Sequence, residues 1–108
     1  MEEFKIIYRI LKTLKNSMDY EEFDKRTINH KYVETTYPKW CRIMAMLVNN
    51  EYITGVIVEM NLNRNYPFVE VINPQITLKG LEYLQENSTM QKIKNALSGV
   101  VSAGSLFK

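Results

Sequence analysis

The chain holds 108 residues, 45% of them hydrophobic and 24% charged, with four Gly and three Pro, which is one domain length of ordinary globular composition. Those figures exclude a multidomain machine, a fibrous repeat and a disordered tail, and the longest apolar run falls far short of the ~20 residues that a membrane helix needs. Fourteen Lys plus Arg against twelve Asp plus Glu leave a net charge of +2, so any basic surface has to be local.

The opening MEEFK is acidic where an export signal is basic, and Cys41 is single; a reducing, cytoplasmic setting is the expectation, with no membrane partner. One Cys and one His cannot supply the usual four Cys/His ligands of a zinc site, nor a disulfide within one chain. No metal or cofactor is expected. Cys41 itself reads as an inert small hydrophobe on a helix.

Apolar residues at Phe4, Ile7, Tyr8, Leu11, Leu14 and Met18 follow the 3 and 4 spacing of one helical face, which predicts a first helix from about Glu3 to Ser17. Glu2 and Glu3 at its start and Lys12 and Lys15 near its end suit the helix dipole. Ile6 and Ile10 fall off that stripe and are expected as a second small apolar strip, available for a protein contact. DYEEFDKR, with four acids before two basic residues, reads as a solvated loop leading into a short extended piece around Lys25 to Ile28. A short second helix is expected in INHKYVET, carried by Ile28, Tyr32 and Val33 despite low propensity, with His30 as a surface or capping residue.

The third helix, about 37–50, is clearer. Thr35 or Thr36 can cap it, Pro38 suits its first turn, and Trp40, Ile43, Met44, Leu47 and Val48 make a buried face. At ~100° per residue the outward face holds Lys39, Arg42, Ala45, Met46 and Asn49, and no acid occurs between Tyr37 and Asn50. YITGVIVEM then reads as a strand in which Gly55 marks a bulge or a close backbone approach. After the polar NLNRNYP loop, PFVEVINPQIT reads as a second strand, with Phe68, Glu70 and Ile72 on one face and Val69 and Val71 on the other.

Thr77 is a good N-cap for a fourth helix built on Leu78, Leu81, Tyr83 and Leu84, and Gly80 in its first turn implies a close helix-to-backbone contact. A fifth helix is expected from Met90, Ile93 and Leu97. Residues 99–108 read as a tail, disordered or self-associating.

Helix, short strand, helix, helix, hairpin, helix is the order of an α+β winged helix-turn-helix: a three-helix core, a two-stranded β-hairpin wing and additional C-terminal helices, over residues 1–98. ITLKGLEYL (76–84) is similar to the wing-to-helix segment of many bacterial winged-helix proteins. Extended through NPQITLKGLEYLQENSTMQK, together with the DYEEFD loop, the chain resembles the YjcQ-like family of small bacterial and phage or prophage proteins. The resemblance implies a compact winged-helix fold and carries over no catalytic residue; a phage structural role is also compatible with it.

On the winged-helix reading the expected partner is double-stranded DNA, bound by a small transcriptional regulator. Arg42 would then read guanine and Asn49 adenine, and Lys39 would hold a phosphate. Lys25, Arg26 and Lys31 would meet backbone, with Arg64 the cation of the wing tip in the 61–66 loop. Dedicated DNA binders commonly meet ~6 or more phosphates, so a homodimer through the first helix and the C-terminal segment would help. The alternative is a non-catalytic protein-interaction module or phage assembly component, using Ile6, Ile10, Met46, Val100, Val101, Leu106 and Phe107. No enzyme is expected: there is no phosphate loop, zinc pair or nucleophile elbow.

Overall fold

The computed structural model describes residues 2–87, so the expected fifth helix and the tail with Val100, Val101, Leu106 and Phe107 lie outside the described residues. The described chain is α+β. In order it forms helix α1 (Glu2–Ser17), a 3-10 turn (Lys25–Ile28), helix α2 (Tyr37–Asn49), strands β1 (Ile53–Glu59) and β2 (Phe68–Ile76), and a helix α3 over residues 78–87. No helix among the described residues is long and apolar enough to cross a membrane.

α1 starts with the expected dipole arrangement, Glu2 and Glu3 in its first turn and Lys15 in its last. Its buried side is rotated from the expected stripe. Ile6, Ile10, Leu11 and Leu14 are 0–2% exposed, whereas Phe4 and Met18 stand in solvent. Ile6 and Ile10 are therefore core residues, not a surface strip for a partner. The correction has a simple cause: α1 is apolar over a broad arc, and only packing against the rest of the chain chooses which part of that arc is buried.

The extended piece expected at Lys25 to Ile28 is instead the 3-10 turn. Asp24 caps it, accepting from the Arg26 backbone N–H at 3.0 Å. The second helix is not formed as such. Asn29 leaves helical geometry (φ −77°, ψ 169°), its side chain accepts from Tyr32 N–H, and a single turn follows with Val33 N–H donating to Asn29 O and Thr35 N–H to His30 O. Glu34 then takes a positive φ of 58° and closes the turn. Asn and β-branched residues favour such local bonding over a continued helix, and burial of Ile28 and Val33 holds the segment to the core.

Thr36 is the N-cap of α2, and Trp40, Cys41, Ile43, Met44 and Leu47 are its buried face; Val48 is half-buried. The helix ends in a Schellman arrangement, Tyr52 N–H donating to Leu47 O and Glu51 N–H to Val48 O. Glu51 occupies the left-handed position, φ 62°, that glycine usually takes.

β1 and β2 pair antiparallel, Val56 opposite Val71 and Val58 opposite Val69 on the inner face, Ile57 opposite Glu70 and Glu59 opposite Phe68 on the outer. The register shifts between Thr54 and Val56, where Gly55 has φ +78° and lies so close to Asn73 O that a Cβ could not fit. This is the expected bulge, and Pro74 sits in the same irregular stretch, where a missing N–H is tolerated.

Thr77 caps α3 as expected: its hydroxyl accepts from Gly80 N–H at 3.0 Å and donates to Glu51 O at 2.6 Å. Gly80 packs on Tyr52 O, where a side chain would collide. Of the expected apolar face of α3, Leu84 is in the core and Leu78 is exposed.

Gly55→Ala should lower the thermal midpoint measured by circular dichroism by several degrees, corresponding to more than ~1 kcal/mol, because both the φ and the approach to Asn73 O exclude a Cβ. A midpoint within a degree of the parent would show that the bulge is not strained by a side chain.

Candidate functional site

The outward side of α2 and the loop over residues 60–67 form one surface. Two contacts join them, and a third braces the helix side. The Tyr37 ring meets the Tyr66 ring edge-on at 6.0 Å, Tyr37 stacks on Trp40 at 5.7 Å within α2, and an Arg42 guanidinium N–H donates to Asn65 O at 3.0 Å. Beneath them the Trp40 Nε1–H donates to Ile28 O at 2.7 Å in a buried site, tying α2 to the 3-10 turn. His30 completes the aromatic group, 5.2 Å from Tyr37 and 6.4 Å from Trp40.

The loop is ordered from within. Asn63 N–H donates to the Asn61 side chain, and Arg64 donates from Nε to Tyr66 O and from a terminal nitrogen to Pro67 O. The Arg64 guanidinium lies 4.3 Å from the Tyr66 ring centroid, a cation–π geometry. Leu62, at the far end of the loop, is fully exposed.

The residues singled out from sequence divide into two groups. Lys39 is ion-paired to α1, its Nζ 2.9 Å from Glu3 and 3.9 Å from Glu2; the Lys39 hydrogen bond holds the Glu3 carboxyl below its ordinary range, and Glu3 in turn raises Lys39. Arg26 is spent on Asp24 through two side-chain hydrogen bonds of 3.0 Å. Arg64 is built into the loop, not extended from its tip, and Arg42 is exposed with one nitrogen committed to Asn65 O. Lys25, Lys31 and Asn49 are exposed, and their side chains form no hydrogen bond or ion pair among the described residues. Met46 is 47% exposed on the same side of α2.

Two features were not read from the sequence. α1 turns Lys5, Arg9, Lys12 and Lys15 outward along open grooves shared with Tyr32 and Glu34 on one side and Leu81 and Leu84 on the other; the 5, 9, 12 spacing was the available signal. The Tyr37–Trp40–Tyr66 cluster had none, because Tyr66 comes from a distant loop. Among the described residues no three His, Cys, Asp or Glu side chains converge as metal ligands.

Cys41 is fully buried, and burial pushes its thiol pKa up, so a thiol reagent near neutral pH should label it only as fast as the protein opens, with full labelling in denaturant. Trp40→Phe should cost roughly 1–3 kcal/mol in denaturant unfolding, since it leaves the buried Ile28 carbonyl without its donor. An unchanged midpoint would show that the 3-10 turn is held by apolar burial alone.

A family model described as YjcQ protein matches residues 8–101. No curated protein and no solved structure matches the chain. With most of the sequence covered, including both strands and the whole of α2, the chain belongs to the YjcQ family.

Proposed function

We propose that the protein is a double-stranded DNA-binding domain of winged-helix type, in which α2 is the recognition helix and the loop over 61–66 the wing tip. The supporting observation is the joined surface of helix and loop. From Tyr37 to Asn50 the helix contains no carboxylate; Arg42, Met46 and Asn49 are exposed on it, and Asn61, Leu62 and Asn63 are exposed on the loop. A helix of this kind fits a major groove, where an Asn amide can bond adenine and an Arg guanine. Leu62 and the loop asparagines suit a shallower contact with the minor groove.

The reading is of a binding domain with no catalytic step. In this reading the place of the helix that precedes the recognition helix is taken by the 3-10 turn and the turn at 30–34. Lys25 and Lys31 supply the cations for backbone contact. Lys39, Arg26 and Arg64 are engaged inside the protein, so few phosphates are neutralised per protomer, and the dependence on salt should be correspondingly shallow, with log K falling by about 0.9 per neutralised phosphate for each log unit of salt.

Fluorescence anisotropy of the full chain against mixed duplex fragments tests this. Saturable binding at low salt that weakens toward physiological salt is expected. Asn49→Ala, which disturbs no bond in the protein, should relax base preference, and Lys31→Ala should weaken all sequences alike and flatten the salt slope by about 1. Arg42→Ala should also relax preference, with the added loss of its tie to Asn65. Absence of binding at low salt, or parental behaviour of all three variants, would refute the reading.

A further inference from the structure

The outer face of the hairpin carries a second, differently charged surface. Ile57, Phe68 and Ile72 are 44%, 41% and 46% exposed there. The register sets Ile57 across from Glu70 and Phe68 across from Glu59, so each of these two apolar side chains has a carboxylate as its cross-strand neighbour. Neither strand contains a Lys or Arg, and among the described residues neither carboxylate forms an ion pair. A sheet face left to solvent normally alternates to polar residues. This one is apolar and acidic.

Residues 88–108, STMQKIKNALSGVVSAGSLFK, have the complementary composition. They contain no Asp or Glu and three Lys, and Lys92 and Lys94 flank Ile93 within the Met90, Ile93, Leu97 series. α3, which leads into them, leaves the base of the hairpin at Thr77 and runs over α1, with Leu81 and Leu84 facing Tyr8, Lys12 and Lys15 and Leu84 in the core. That is the inner side of the hairpin. α3 thus packs on the inner side, and among the described residues the outer face stays exposed.

We infer that the outer face of the hairpin receives residues 88–108 of a second copy, with the Met90–Ile93 stretch against Ile57, Phe68 and Ile72, and Lys92 and Lys94 opposite Glu59 and Glu70. Exchange about a twofold axis forms the contact twice, so one modest patch serves both halves of a closed dimer. The inference does not depend on DNA binding.

Sedimentation equilibrium of the full chain across micromolar concentrations at low salt should show a dimer. Glu59→Lys with Glu70→Lys should raise its dissociation constant about ten-fold, as should Lys92→Glu with Lys94→Glu, because each reversal sets like charges together at both copies of the contact. The four substitutions combined should restore it to within about three-fold, which non-specific association would not do. Ile72→Asp, at an exposed position, should give monomer with a circular dichroism spectrum like the parent's. A parent that is monomeric throughout, a dimer indifferent to either reversal, or a failure of the combined variant to recover would overturn the inference.

Discussion

The buried hydrogen bond from Trp40 to Ile28 O is the constraint on which the rest of the site depends. It is made by the only Trp of the chain, and it fixes the first turns of α2 against a segment too short to be a regular helix. Burial of Ile28 and Val33 provides the adhesion, while the indole N–H sets where along α2 that segment docks. Tyr37 stacks on the same indole and passes the position on to Tyr66, so the loop between the strands is placed by a chain of contacts that begins at the Ile28 carbonyl, twelve residues before Trp40.

A second constraint runs through Tyr52. Its carbonyl accepts from Thr77 N–H, its own N–H closes the end of α2, and Gly80 packs against it. The end of one helix and the start of another are thereby held on either side of the hairpin base. The left-handed Glu51 and the bulge at Gly55 are the local irregularities that let the chain turn there, and a two-stranded hairpin, marginal alone, is kept in place from both ends.

The distribution of charge follows from these contacts. Of the cations near α2, those closest to the packed aromatic group are absorbed into structure: Lys39 joins α2 to α1, Arg64 supports the loop, and Arg26 completes a cap. Exposed besides these are Lys25, Lys31, the outer side of α1, and Arg42 on α2 itself, one of whose nitrogens bonds Asn65 O. The hairpin, by contrast, keeps its carboxylates on the face turned away from α2. The molecule thus has an uncharged-to-basic side and an acidic, apolar side, although its net charge is only +2.

Much of this was legible in the residues. α1 and α2, the caps at Thr36 and Thr77, both strands with the inward and outward faces of β2, the bulge at Gly55, the close approach at Gly80 and the likeness to the YjcQ family all follow from spacing, turn chemistry and local motifs, because each depends on residues within a few positions of one another. Three things did not follow. The arc of α1 that is buried was ambiguous, since Ile6 and Ile10 and Phe4 and Tyr8 satisfy helical spacing equally well, and only contact with α2 and the hairpin distinguishes them. The segment after Asp24 was read as strand and helix where Asn29 and Glu34 break it into two separate turns. The engaged state of Lys39 was likewise a tertiary outcome, because its partner Glu3 lies 36 positions away and is brought within reach by folding, whereas Arg64 and Arg26 bond groups two or three positions off through loop and turn geometry that no spacing rule announces.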